Sequence, residues 1–295
     1  MIIKNLIPII FILIHTKFIS CNWFNETKKF NLSNESIDVI IACHEKDKDV
    51  LSLCINGIKK HVKNYRRIII LSEKQFSNEA EWFNEALFPF SKESISKEFS
   101  LIDPNFYKNP NQVKRVGWYF KQIMNFYAAF IVPEISNNIL ILDADTIFLR
   151  PVEFVDKDGN MLHVPGTEHY QAYFDHMNRL LPGLKKVYPK HSGISHHMLF
   201  QKPILIDLFN LVESHHKTEF WKVYCKCVEK KEIELSGSAD YEIYFNFALI
   251  RCPKQIKIRQ LRWRNISKIS LLKKYIKEGY DFVSWHSYIR QDSIK

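Results

Sequence analysis

The stretch Asn137–Phe154, "NNILILDADTIFLRPVEF", decides the fold. An unbroken aliphatic run, Ile139 to Leu142, leads directly into Asp143-Ala144-Asp145, and a second apolar run follows. A short continuous apolar run is the pattern of a strand buried on both faces. Carboxylates are costly inside such a strand unless something compensates their charge. The run therefore predicts a central strand, and the acids predict that it ends at a crevice.

The neighbouring segments fit a sheet of that kind. Ile37–Ala42 reads as another buried strand, Cys43–Asp49 as a polar loop, and "VLSLCINGIKKHV" as a helix with apolar residues spaced at three and four. "RRIIILSEK" is a second buried strand and "EFSLID" a third, followed by a helix over "QVKRVGWYFKQIMNFYAAFIV". Continuously apolar strands alternating with helices indicate an α/β chain with a mostly parallel sheet covered on both faces. Ligands gather at the carboxyl ends of such strands. His44, Glu45, Lys46 and Asp47 follow the first strand, Ser72, Glu73 and Lys74 the second, and Asp143 and Asp145 a later one.

In the second half, "HSGISHHMLFQK" reads as a strand carrying His196 and His197, with one ring on each face. "PILIDLFNLVESHH" and "TEFWKVYCKCVEKK" read as helices. "SADYEIYFNFALIRC" reads as a helix capped by Ser238, with Asp240 and Glu242 in its first turn. "YDFVSWHSYIR" reads as a late strand carrying His286. No change of composition marks a boundary after Arg150, so residues 37–290 are read as one integrated catalytic domain. Its halves are 37–150 and 151–290.

The chain has 295 residues, 46% of them hydrophobic and 14% aromatic, enough for a sizeable core. With only 8 glycines and 11 prolines it is neither fibrous nor low-complexity. The formal charge of +10 suits an acidic partner, but the basic residues are scattered and form no dense stripe, which argues against nucleic acid. "MIIKNLIPIIFILIHTKFISC", residues 1–21, has one early lysine and an apolar run from Leu6 to Ile14, too short to span a bilayer comfortably. It reads as a secretory signal peptide, with a short anchor as the alternative; a membrane contact follows only if it is retained. Its removal takes Lys4 and Lys17 and leaves a charge of about +8. Residues 22–36 read as a polar leader.

Sequons at Asn25, Asn31, Asn34 and Asn265 suit a glycoprotein of the secretory lumen or outside the cell. Cys43, Cys54, Cys225, Cys227 and Cys252 allow one or two disulfides and an odd thiol. Cys225-Lys226-Cys227 lacks a second pair at zinc-finger spacing and reads as a structural or disulfide feature.

Asp143 and Asp145 on alternate positions make a compact hard-oxygen site suited to Mn²⁺ or Mg²⁺, with phosphate oxygens filling the remaining positions. "ILILDADTIFLRPV" resembles the D-x-D strand of glycosyltransferases of the GT-A fold. It is similar in particular to a sparsely characterised D-x-D family whose other segments match in order. "IDVIIACHEKDKDVLSLCINGI" resembles its first strand, loop and helix. "GWYFKQIMNF" resembles its Gly-Trp-Tyr helix, with Lys121 where a glutamine is usual. "SHHMLFQKPIL" resembles its His-His-Met strand, "SADYEIYFNF" its Ser-acid-Tyr-Glu helix, and "WHS" its late histidine. The resemblance spans about residues 37 to 290 and implies a nucleotide-sugar-binding half, 37–150, and an acceptor half, 151–290.

This resemblance implies a GT-A, Rossmann-like mixed sheet and a hexosyltransferase-like enzyme. Such an enzyme moves a sugar from a nucleotide-sugar, a UDP-sugar first, to a glycan or glycoprotein. It also implies Asp143, Asp145 and His286 as metal ligands. His44, Asp47, Glu73, Gln122, Asp143 and His197 are the expected donor-binding residues, with help from Lys46, Lys114 or Arg115. Asp240, and after it Glu242, is the expected acceptor-side carboxyl, because transfer needs a base near the acceptor hydroxyl. Trp118 and Tyr119 are read as core aromatics before stacking platforms. The alternatives are a non-catalytic binding protein of the same fold and a metal-dependent nucleotidyl or phosphoryl transferase. Against the latter, no glycine-rich phosphate loop and no third acid stands beside the pair.

Overall fold

The computed structural model describes residues 23, 24 and 26–292. The signal-peptide reading of residues 1–21 and the sequon at Asn25 lie outside them. The chain is mixed α/β, with a mostly parallel central sheet flanked by helices, as the sequence predicts.

The first half runs β1 (Ile37–Ala42), α1 (Lys48–His61), β2 (Tyr65–Ser72), β3 (Glu81–Asn84), α2 (Lys92–Ile102), α3 (Pro110–Ile131) and β4 (Asn138–Asp143). The chain continues through β5 (Thr146–Phe148), β6 (Met161–His163), α4 (Gln171–Leu180), β7 (His197–Gln201), α5 (Lys202–His216), α6 (Phe220–Lys226) and α7 (Asp240–Arg251). It ends with β8 (Ile256–Ile258), β9 (Trp263–Asn265), α8 (Leu272–Lys277) and β10 (Phe282–Ser284).

The central sheet has the order β3-β2-β1-β4-β7, all parallel except β7, which runs antiparallel to β4. β1 sits between β2 and β4, so the strand order reverses there. In open α/β sheets this reversal opens a crevice at the carboxyl ends. Ala42 pairs with Asp143, so the end of β1 and the first acid share that edge.

β4 is buried from Asn138 to Leu142, and only at Asp143 does exposure begin. α3 covers the sheet beside it. Its start is set by Asn109, whose side chain accepts from the amides of Asn111 and Gln112, with Pro110 at the first helical position. Such a cap contributes about 1 kcal/mol.

"EFSLID" is not a strand. Residues 92–102 are α2, started by a reciprocal cap between Ser91 and Ser94. Local hydrogen bonding at that start outweighs the apolar alternation read from Phe99 onward. The third strand is the shorter "EWFN", β3. "TEFWKVYCKCVEKK" is helical only through Lys226. Ser238 does not cap α7; Ala239 stands at the cap, and the Ser238 hydroxyl instead reaches Gln122 Oε1 at 3.4 Å.

The chain leaves the central sheet immediately after the acids. β5 joins a second sheet, β5-β10-β9, in which β10 pairs antiparallel with β5. α1 lies against β5 so closely that a Cβ on Gly57 would stand 2.9 Å from the Phe148 amide nitrogen. All five described cysteines are buried and free, so the expected disulfides are not formed among them. The described sequon residues Asn31, Asn34 and Asn265 are exposed. None of the described helices is long and apolar enough to cross a membrane.

Candidate functional site

The register of the second sheet assembles the site. Ser284 pairs with Thr146, and the two hydroxyls lie 3.0 Å apart. Trp285 N–H donates to the Asp145 carbonyl at 2.9 Å, so the next residue, His286, arrives beside the acids. Its Nδ1 lies 2.8 Å from Asp145 Oδ2, across 141 positions of sequence. His286 is not on the strand, which ends at Ser284, but at the start of a short turn after it.

Arg290 fixes that turn. It donates to the carbonyls of Trp285 and Lys46 and pairs with Asp47 Oδ1 at 2.8 Å. Asp47, expected to bind the donor, is thus already engaged as an anchor. Lys46 lends its carbonyl to the same anchor.

Asp143 faces α3. Lys121 Nζ donates to its Oδ1 at 2.5 Å, and His196 Nδ1 lies 3.9 Å from its Oδ2. One turn along the helix, Asn125 donates to Asp240 Oδ2 at 2.7 Å. Positions four apart share a helix face, so one side of α3 holds both Asp143 and Asp240. Lys121 is the cation that sequence reasoning passed over in favour of Lys46, Lys114 and Arg115. Its signal was the departure from the usual glutamine. Arg115 lies elsewhere, over the Trp118 ring at 4.2 Å and bonded to the Leu235 carbonyl and Ser236.

The charges are mutually compensated. Burial raises the pKa of Asp145, but the hydrogen bond and charge of His286, with Lys121 and His196, outweigh it and leave the pKa lowered. Burial opposes protonation of His286, yet Asp145 holds its pKa above the ordinary value. Burial would likewise lower Lys121, and Asp143 more than reverses it. His196 is held down to about 4 by burial, against the pull of Asp143, and is neutral at pH 7. Burial pushes Asp240 up to about 6, with Asn125 and Lys121 acting in the other direction.

The expected metal triad is not assembled as such. Among the described residues no three His, Cys, Asp or Glu side chains converge to hold an ion. Lys121 already neutralises one oxygen of Asp143. Asp145 nonetheless fits a cation. Its Oδ1 is buried with no hydrogen-bond partner, which is costly for a carboxylate oxygen unless another charge meets it. A carboxylate and an imidazole are an ordinary donor set for Mn²⁺. Asp145 and His286 fit the group; Asp143 offers only the oxygen that Lys121 leaves free.

Other expected residues fall elsewhere. Gln122 faces away from Lys121 by a helical step of about 100° and into the core. It accepts from the Tyr224 hydroxyl there. The structure thus places this expected donor contact in the core, buried and engaged. His197, another expected donor contact, also lies in the core. The strand's alternation sends its ring into the core among Phe148, Phe154 and Phe282, with centroids 5.5, 5.2 and 4.9 Å away. His196 is the ring at the site, 5.0 Å from that of His286.

Glu242 is fully buried and bonded to Ser192 Oγ at 3.0 Å and to the Gly193 amide. It is a clamp on that segment, and its carboxylate is engaged there. His44 is exposed at the sheet edge and caps the following turn. Glu73 lines a groove of about 750 Å³ together with Asn84, Phe88, Phe90, Lys92 and Phe120. Phe120 precedes Lys121 on α3, but neither Lys121 nor the acids line this groove. Tyr119 is core, and its hydroxyl donates to the Glu232 carbonyl at 2.9 Å. A residue not anticipated is Tyr241, beside Asp240 in sequence. Its hydroxyl is buried without a partner, and its pKa is raised by burial, then by Asp143, Asp240 and Asp145.

No curated protein matches the chain. Among solved structures, it is similar to the apo form of mouse xyloside xylosyltransferase 1. The match has 10% identity and a TM-score of 0.42, over 88% of this chain and 99% of that one. A score of that size is a loose likeness of outline, without residue correspondence. Residues 24–272 match the family described as a family of unknown function, DUF6492, and the chain belongs to that family.

Proposed function

We propose that the protein is a metal-assisted glycosyltransferase that moves a sugar from a nucleoside-diphosphate donor to a glycan or glycoprotein acceptor. The observation that carries this reading is the unpartnered, buried Oδ1 of Asp145 beside His286, at the point where the strand order reverses. Asp145 and His286 would hold Mn²⁺ or Mg²⁺, which supplies charge neutralisation for the departing diphosphate.

Lys121, fixed on Asp143, adds a positive charge of the chain's own on the same side. The groove lined by Glu73, Phe88 and Phe120 is the proposed seat of the nucleoside. Asp240 is the acceptor-side carboxyl. With a pKa of about 6 it is ionised at neutral pH and basic enough to take a hydroxyl proton. The proposed place of action is the lumen of the secretory pathway or the cell exterior.

The test is a thermal-shift screen of UDP, GDP and their sugars with Mn²⁺. A ligand at a hundred times its Kd stabilises the native state by about 2.7 kcal/mol. Asp145→Ala is expected to abolish the Mn²⁺-dependent part of the shift. An unchanged shift in that variant removes Asp145 from the site. One observation favours a second reading, a binding protein without turnover: Lys121 already occupies Asp143. Mn²⁺-dependent hydrolysis of a UDP-sugar by purified protein decides against it.

A further inference from the structure

Asp143 already holds a cation of the chain's own. Lys121 Nζ donates to its Oδ1 at 2.5 Å, and the pair reaches solvent, with side chains 36% and 22% exposed. Among the described residues no other lysine or arginine lies within ion-pair distance of Asp143 or Asp145. Their remaining partners are two imidazoles, His196 at 3.9 Å from Asp143 Oδ2 and His286 at 2.8 Å from Asp145 Oδ2. Lys121 is held in place by its helix, since the next turn of α3 is bonded to Asp240 through Asn125. One turn earlier on the same face stands Gly117. It is exposed, and a Cβ there would meet nothing within 4 Å. That position offers no side chain to obstruct an approach to Lys121 from solvent.

This arrangement has opposite consequences for two ligands. A divalent ion held by Asp145 and His286 that also draws on Asp143 finds the ammonium on the same carboxylate. It must displace Lys121 or share the acid with it, and like charges at such separations repel. A diphosphate reverses the sign. Its oxygens suit a hard divalent cation and a lysine ammonium alike. With that anion between them, the two cations support each other. Such a coupling is reciprocal: the factor by which the diphosphate tightens the metal is the factor by which the metal tightens the diphosphate.

We infer that Lys121 is a tethered cation that competes with the divalent ion for Asp143, so that the site holds the free ion weakly and takes up metal and diphosphate together. This rests on the metal role proposed for Asp145 and His286.

The test is a Mn²⁺ titration of the whole protein, followed by the paramagnetic resonance signal of the unbound ion and corrected by a protein-free blank. It is run with UDP, with GDP and with neither, on wild type, Lys121→Gln and Lys121→Arg. Wild type is expected to bind Mn²⁺ at least tenfold more tightly with the better nucleotide than without one. Lys121→Gln removes the charge; it binds Mn²⁺ alone at least fivefold more tightly than wild type and loses most of the gain from the nucleotide. A gain of affinity cannot come from misfolding. Lys121→Arg keeps the charge and the weak hold on Mn²⁺ alone, which separates charge from shape. Equal or weaker binding of Mn²⁺ alone by Lys121→Gln overturns the inference, and so does the same tightening in Lys121→Arg. No binding of Mn²⁺ by any of the three proteins, nucleotide present, sinks the metal reading of Asp145 and His286 itself. Binding that is indifferent to Lys121 sinks the competition alone.

Discussion

The role proposed for Asp240 sets stability against function, a conflict that can be measured directly. Its carboxyl is nearly inaccessible and pushed up to about 6 by burial, from an ordinary value of 3.8. Between those values the folded chain binds more protons than the unfolded one. Stability from this group is therefore fullest below pH 4, declines from pH 4 to 6, and is lowest and level above 6. A gap of about two units at 1.36 kcal/mol each makes the loss about 3 kcal/mol. Asp240→Asn removes the titration and keeps an oxygen for Asn125 to donate to.

The variant is expected to be more stable than wild type at pH 8, by up to about 3 kcal/mol, or some 6–12 °C for a chain of this size. The advantage vanishes at pH 4. Transfer activity falls by about 10²–10⁴, the contribution typical of a general base. Urea denaturation at pH 4, 5, 6 and 8 provides the assay. Equal stabilities at pH 8, or a stability difference that does not vary with pH, would refute the argument that burial sets this pKa.

Three further outcomes follow from particular contacts. His197→Leu exchanges a buried ring with two unpartnered nitrogens for an apolar side chain, and is expected to leave stability unchanged or raise it by about 1 kcal/mol; a loss above 2 kcal/mol in urea melts would mean the ring has a partner. Gly193→Ala drives a Cβ against the Tyr241 carbonyl and is expected to cost about 1–3 kcal/mol; a normal melt would show that Glu242 does not hold the segment tightly. Lys121→Gln removes a charged hydrogen bond to Asp143, so UDP affinity at fixed Mn²⁺ should fall about tenfold or more; unchanged affinity in a calorimetric titration would take Lys121 out of the donor site.

The main sheet was legible because its strands are buried on both faces and write their apolar runs openly. β1, β2 and β4 fall where the sequence places them, and so does α3. α2 was misread because its start is signalled by Ser91 and Ser94, while only its apolar tail drew attention. The two histidines show how narrow the margin is: a strand's alternation says that one of the pair faces the core, but not which. His197, the expected donor contact, stands one position from His196, the ring that lies beside Asp143 and His286. Lys121 was visible as a departure from the family pattern, yet its partner depends on how α3 rotates over β4, which no local pattern encodes. Glu242 shared a turn with Asp240 and took an unrelated duty, since neighbouring helix positions point in different directions.

The turn held by Arg290 has a consequence for synthesis. The central sheet is complete once β7 emerges, so a chain terminated anywhere after Gln201 already contains its largest layer. It lacks His286 and the anchor that aims it until translation has passed residue 290. Folding can begin early on the ribosome, while the candidate site closes only when nearly all of these residues exist, so that truncated products hold Asp145 without the imidazole that pairs with it.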